Sequence, residues 1–247
     1  MLFDSAELSL PGDRQQNQDS VGIVANDSSA MLIVVDGMGG HAGGDEAAAI
    51  TLATLTECFA AALHPIFDPQ GFLLETLGLA HDRVVDLGRE MDVDQRPRAT
   101  CATCLVQDAG SYWAHVGDSR VYQLRAGAVH ERSRDHSHVE LLLREGVIEE
   151  SDVKSHPLRN YVEYCLGGDE PLPEMSVTAR KPLAAGDVLM VCTDGLWSGV
   201  DDVDIAVLST GVVDLEAALD KLAHGAVEAN APHSDNTTAA ALRWNGD

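Results

Sequence analysis

Positive charge is what this chain lacks most. Only 16 Lys and Arg residues face 40 Asp and Glu, a formal net charge of −24 over 247 residues. A surface so negative disfavours nucleic acid and anionic membranes, both of them polyanions. Long apolar runs are also missing, and no stretch approaches the roughly 20 residues that cross a bilayer. The opening residues MLFDSAELSLPGDR have neither a basic start nor an apolar run, so no secretory signal is expected. Together these absences predict a soluble, cytoplasmic protein with no nucleic-acid or membrane partner. The five cysteines (Cys58, Cys101, Cys104, Cys165, Cys192) make no even framework for disulfides. Cys101 and Cys104 have the spacing of half a zinc knuckle, but they lie in a run that reads as a strand, where residues three apart face opposite ways. Packed, reduced thiols are the expectation. No repeat, low-complexity tract or linker divides the chain, which reads as one domain spanning 1–247.

What is present is a mixture of strands and amphipathic helices. Residues 20–26 and 30–36 read as strands, the second so apolar (MLIVV) that it belongs at the centre of a sheet. Helices follow over about 44–63 and 70–91, and Leu73, Leu77, Ala80, Val84 and Leu87 share one face of the second. Strand pairs at 100–106 with 112–116, and 120–125 with 128–131, turn around Asp108-Ala109-Gly110 and Ala126-Gly127. From 135 to 168 the chain becomes polar and irregular, with helical pieces at 138–145 and 149–153 and then HPLRN. That region, about 135–175, is a candidate flap over a site. Strands at 176–180, 188–193 and 237–243 and helices at 202–209 and 215–227 complete the set. Short hairpins imply antiparallel sheet, and amphipathic helices imply cover on its faces. The fold class is α+β.

Five acidic clusters punctuate these elements, each with an Asp where a strand should end. They are 14–19 (RQQNQD), 36–41 (DGMGGH), 117–120 (GDSR), 193–196 (TDGL) and 234–237 (SDNT). Taken singly each is a turn, because Gly accepts positive φ and Asp bonds nearby backbone N–H groups. Gathered at neighbouring strand ends, five carboxylates would repel one another unless cations sat between them. Arg14 stands beside the first cluster, and alone it would be a surface ion pair of little energy.

In order and spacing, RQQNQD, VVDGMGGHAGG, VGDSR, TDGLW and SDNTT resemble the metal-dependent protein phosphatases of the PPM (protein phosphatase 2C) family, bacterial type, over residues 13–242. The resemblance implies a central sandwich of two mainly antiparallel sheets flanked by helices, in α-β-β-α layers. It implies two Mg²⁺ or Mn²⁺ ions bridged by Asp36, with the Gly37 carbonyl, Asp194 and Asp235 as further ligands and Asp19 acting through water. Carboxylate and carbonyl oxygens suit those ions rather than zinc. Asp118 would help Asp194 hold a third, weaker metal, while Ser119 and Arg120 support their loop. Arg14 would grip the substrate phosphate through two parallel hydrogen bonds. A dimetal-activated water would then attack phosphorus in line, with no phosphoenzyme. The implied partners are proteins phosphorylated on Ser or Thr and a bacterial Ser/Thr kinase opposed by this enzyme, itself a monomer. Met38 stands where eukaryotic members carry a general-acid His; His41, three residues on, reads first as a loop-bonding histidine, with a direct catalytic role as the alternative and a metal-bound water as the other source of the proton. Two alternatives stay open: the same site acting on a small phosphorylated metabolite, and a non-catalytic regulator that binds phosphoproteins through Arg14.

Overall fold

The structure, a computed structural model, describes residues 1–38, 43–153, 156–211 and 213–246. Strands β1 (Leu2–Leu10), β2 (Asp19–Ala25) and β3 (Ser29–Met38) precede helices α1 (Gly44–Ala61) and α2 (Pro69–Leu87). Strands β4 (Arg98–Gln107), β5 (Gly110–Val116), β6 (Arg120–Arg125) and β7 (Ala128–Arg132) lead to short helices α3 (His138–Arg144) and α4 (Glu150–Val153). Strands β8 (Leu166–Gly167), β9 (Ser176–Val177), β10 (Lys181–Pro182) and β11 (Val188–Cys192) follow. Helices α5 (Asp194–Trp197), α6 (Asp202–Ala206) and α7 (Leu215–Asn230) then lead to β12 (Thr237–Gly246). One sheet has the order β1-β12-β11-β6-β7 and the other β10-β5-β4-β3-β2, with β8 added to β4 and β9 to β5. The recorded pairings are antiparallel.

Period-two patterning sets the layers. On β3, Met31, Ile33 and Val35 pack outward against α1 and α2, whereas Ala30, Leu32 and Val34 pack toward the other sheet. With both faces covered, MLIVV has no place for a polar residue. Each fully buried Leu or Ile there contributes about 1.5–3 kcal/mol. From the second sheet, Leu189, Val191, Ala240 and Leu242 fill the middle layer, while Met190 and Ala241 face Leu219 and Ala223 of α7. These are the expected α-β-β-α layers of an α+β fold. Cys101 and Cys104 divide between the outer and middle layers, so their knuckle-like spacing is incidental. Burial pushes both thiols up.

The elements differ from expectation in a few places. Helices α1 and α2 end early, at Ala61 and Leu87, and of the expected strand 176–180 only Ser176 and Val177 pair. The β4–β5 turn has Asp108 and Ala109 both at φ 50°, the left-handed pair that a tight two-residue hairpin requires.

The larger difference is β1, since no strand is expected over 2–10. As the end strand of its sheet it needs only one apolar side, and the exposed Asp4 and Glu7 blur its alternation. Its consequence is positional. Because Leu10 pairs with Thr237, the loop after β1 lies against the loop before β12.

Candidate active site

Each acidic cluster is placed by the strand it ends or begins. Asp19 opens β2, Asp36 lies near the end of β3, and the two are direct cross-strand partners. Like charges in that relation repel. Gly37 donates its N–H to the Gln18 carbonyl (3.1 Å), and a Cβ there would stand 2.0 Å from the Gly44 carbonyl oxygen. Only glycine fits. Gly117, at φ 96°, turns the chain after β5 toward Asp118, while Ser119 Oγ bonds Thr100 Oγ1 at 2.7 Å. Asp194 follows β11 almost immediately and begins α5. Neighbouring Gly195 lies flat against the Asn236 carbonyl, which brings the loops of Asp194 and Asp235 together.

Asn236 fastens the Arg14 loop to this assembly. Its Oδ1 accepts from the Gln18 N–H (2.8 Å), and its Nδ2 donates to the Pro11 and Gln16 carbonyls (3.0 Å each). Arg14 thereby reaches Asp235, with Nη2 2.7 Å from Oδ2. A cleft of about 410 Å³ opens here, lined by Arg14, Asp118, Asp194 and Asp235 among others. Asp19, Asp36 and Gly37 are not among its lining residues. Among the described residues, no three His, Cys, Asp or Glu side chains are drawn into a ready-made ligand set. The carboxylates are held by protein donors instead. Thr193 Oγ1 donates to Asp19 Oδ2 (2.9 Å), and the Asn236 N–H donates to Asp235 Oδ1 (2.8 Å).

The electrostatics still tie all five together. Burial lifts the Asp19 carboxyl to about 7; hydroxyl hydrogen bonds from Thr238 and Thr193 oppose the rise, and the charges of Asp194 and Asp235 reinforce it. Burial holds Asp36 well above the carboxylate range, with the charges of Asp19, Asp194, Asp118 and Asp235 adding to it. Asp118 is likewise raised by burial and by Asp194 and Asp135. Burial and the charge of Asp235 push Asp194 up to about 6. Arg14, already engaged with Asp235, cannot balance so much negative charge. A set of hard oxygen donors in excess of local positive charge fits divalent Mg²⁺ or Mn²⁺.

The sequence profile of the protein phosphatase 2C family matches residues 12–224. The chain belongs to that family. It is 30% identical to the serine/threonine phosphatase stp of Listeria monocytogenes over 78% of this chain and 77% of the relative. The structure of the S. agalactiae serine/threonine phosphatase superposes with a TM-score of 0.87 at 28% identity, covering 98% of this chain and all of the other (100%). The catalytic domain of PstP, solved in complex with two manganese ions, matches with a TM-score of 0.79 at 26% identity over 98% of this chain and 97% of its own. The protein is thus a serine/threonine protein phosphatase, a hydrolase of phosphoproteins from a metal-dependent family.

Other residues of this phosphatase line the cleft without having stood out in the sequence, among them Asp135, Trp197 and His233. Trp197 Nε1 donates to the Asp118 carbonyl (3.0 Å), and the Arg120 guanidinium lies 3.6 Å from the centre of the indole ring. Arg120 in turn holds Asp135 through two hydrogen bonds, at 2.8 and 2.7 Å. The Arg of GDSR supports its loop, as expected, through a Trp and an Asp from other segments. Only the chain's fold joins them. His138 is bonded to Glu163 and His156 accepts from the Leu158 N–H, and neither lines the cleft. His41 lies outside the described residues. No helix among the described residues is long and apolar enough to cross a membrane.

Proposed function

We propose that this phosphatase uses Asp36, the Gly37 carbonyl, Asp194 and Asp235 to hold two Mg²⁺ or Mn²⁺ ions, with Asp19 acting through water. Asp118 and Asp194 share a third, weaker ion. The observation that carries this reading is a set of mutually repelling carboxylates, with Asp19, Asp36, Asp118 and Asp194 raised by burial and by neighbouring charges, beside an Arg14 guanidinium already paired with Asp235. When bound, such ions supply Lewis-acid chemistry that makes hydroxide available at neutral pH.

The chain's own residues set the rest of the geometry. Arg14, at the cleft wall, offers its planar fork to two phosphate oxygens of the substrate. Asp235 competes with that phosphate for Arg14, so the guanidinium is already aimed into the cleft before substrate arrives. From segment 135–175, Val139, Val153, Arg159 and Asn160 also line the cleft, which supports its reading as a flap within one domain spanning 1–247. Acting as a monomer in the cytoplasm, the enzyme reverses the work of a Ser/Thr kinase on protein substrates.

Hydrolysis of p-nitrophenyl phosphate and of a phosphothreonine peptide, with Mn²⁺ or with chelator, tests the reading. Turnover of both only with metal is expected. Folded protein inert on both with Mn²⁺ and with Mg²⁺ would refute it. Small phosphorylated metabolites cleaved far faster than the peptide would favour the metabolite alternative. Calorimetric titration with Mn²⁺ reads the ligands directly, and Asp36→Asn should abolish the tight sites.

A further inference from the structure

Arg132, Arg134 and Arg144 line a second cavity, of about 450 Å³, together with Glu140 and Leu143. Three of the chain's 16 basic residues therefore converge on one concavity of a protein with net charge −24. The local chain explains the convergence. Arg132 and Arg134 alternate with Ser133 and Asp135, which are buried, and Asp135 lines the catalytic cleft. Helix α3 is divided in the same way: Glu140, Leu143 and Arg144 share one face by i, i+3, i+4 spacing, while Val139 lines the cleft. The two cavities thus adjoin across residues 134–135 and 139–140.

Elsewhere arginines are taken up by carboxylates, as in Arg83 with Glu57, Arg89 with Asp86, Arg120 with Asp135 and Arg125 with Asp187. Arg134 and Arg144 are exposed, and among the described residues neither has an ion-pair partner. Arg132 is paired with Asp202 (3.8 Å) and Glu140 is the one carboxylate among the lining residues, so Arg134 and Arg144 leave the pocket with a net positive charge. Guanidiniums recognise oxyanions through their planar fork. Resting on the phosphatase reading, we propose that this pocket is a second anion subsite. It holds an additional oxyanion of the protein substrate, a further phosphate or an acidic side chain, while the scissile phosphate sits at Arg14.

The test compares wild type with Arg134→Ala/Arg144→Ala on phosphothreonine peptides carrying Ala, Glu or a non-hydrolysable phosphonate at each flanking position in turn. Wild type should show a KM about fivefold lower for the anionic peptides, the size of a few partly exposed ion pairs. The double variant should lose that preference and keep its kcat and its rate on p-nitrophenyl phosphate. A stronger effect of phosphonate than of Glu assigns the subsite to phosphate, and the reverse assigns it to carboxylate. No preference in wild type, a preference retained in the variant, or an equal loss on p-nitrophenyl phosphate overturns the proposal. Binding of the labelled phosphonate peptide, read by fluorescence anisotropy, needs no turnover. Arginine-dependent binding by an inactive wild type would sink the catalytic reading and keep the subsite. Arginine-independent binding with Mn²⁺-dependent turnover intact would sink the subsite alone.

Discussion

Arg14 Nη2 lies 2.7 Å from Asp235 Oδ2, so the residue proposed to grip phosphate holds a residue proposed to hold metal. The two side chains are 57% and 40% exposed, and a pair so solvated contributes about 0–1 kcal/mol. It is therefore easily exchanged for a phosphate on one side and a cation on the other. Arg14→Ala should lower kcat/KM on p-nitrophenyl phosphate by about 10- to 100-fold, the worth of hydrogen bonds to a charged group. Arg14→Lys should recover only part of this, because an ammonium lacks the fork. Steady-state kinetics of the pair decide it: a Lys variant equal to wild type would leave Arg14 a mere point charge.

Asp36 makes the opposite kind of contribution, harmful to the metal-free fold. It faces Asp19 across the β2–β3 pair, and burial with four neighbouring carboxylates opposes its charge. Asp36→Asn keeps the shape and removes that repulsion. In chelator the variant should melt higher than wild type, by the equivalent of about 1–2 kcal/mol. Added Mn²⁺ should then stabilise wild type and not the variant, whose turnover should fall at least about 100-fold. A variant that melts lower than wild type in chelator would show that the carboxylate is a structural partner and not a strained ligand.

Trp197 joins three parts of the site. Its Nε1 donates to the Asp118 carbonyl, and its ring packs under Arg120, which holds Asp135. Trp197→Phe keeps the ring and deletes the donor, costing about 1 kcal/mol of stability. It should also raise the Mn²⁺ concentration needed at the weakest site, since the Asp118 loop loses its tether. Isothermal titration of wild type and variant compares the sites separately. Equal weakening at every site would point to a general loosening of the cleft instead.

The sequence showed the strand ends and the carboxylates on them, because a buried central strand has to be apolar on both faces and then stop. MLIVV followed by Asp36-Gly37 and VLMVC followed by Thr193-Asp194 are such stops. Strand β1 was not legible, since an end strand with one apolar side carries little pattern, yet it is what sets Arg14 beside Asp235. Contacts between distant residues were also hidden. Trp197 and Asp118 are far apart in the chain, and only the meeting of the two sheets' loops joins them. Arg132, Arg134 and Arg144 form no continuous run in the chain, and only the turn into α3 places them around one cavity.

Asp187 provides a pH-dependent prediction remote from the cleft. It is buried, 1% exposed, and Arg125 reaches it with Nε at 2.7 Å and Nη2 at 2.6 Å. Gln123 Nε2 and the Ala184 N–H each add a hydrogen bond at 2.9 Å. Burial alone would raise this carboxyl, but the hydrogen bonds from Arg125, Ala184 and Gln123 outweigh it and leave the group below its ordinary value. A carboxyl lowered by folding stabilises the protein above its unfolded value of about 3.9, and that contribution fades as the pH falls through the folded value. Asp187→Asn should therefore cost about 2 kcal/mol at pH 7, because Arg125 loses its counter-charge. The gap between variant and wild type should narrow below about pH 4, as wild type takes up the proton that Asn cannot. Urea unfolding of both proteins from pH 7 to 3 measures this directly. A gap that stays constant over the range would mean that Asp187 acts through its shape and neutral hydrogen bonds, not through its charge.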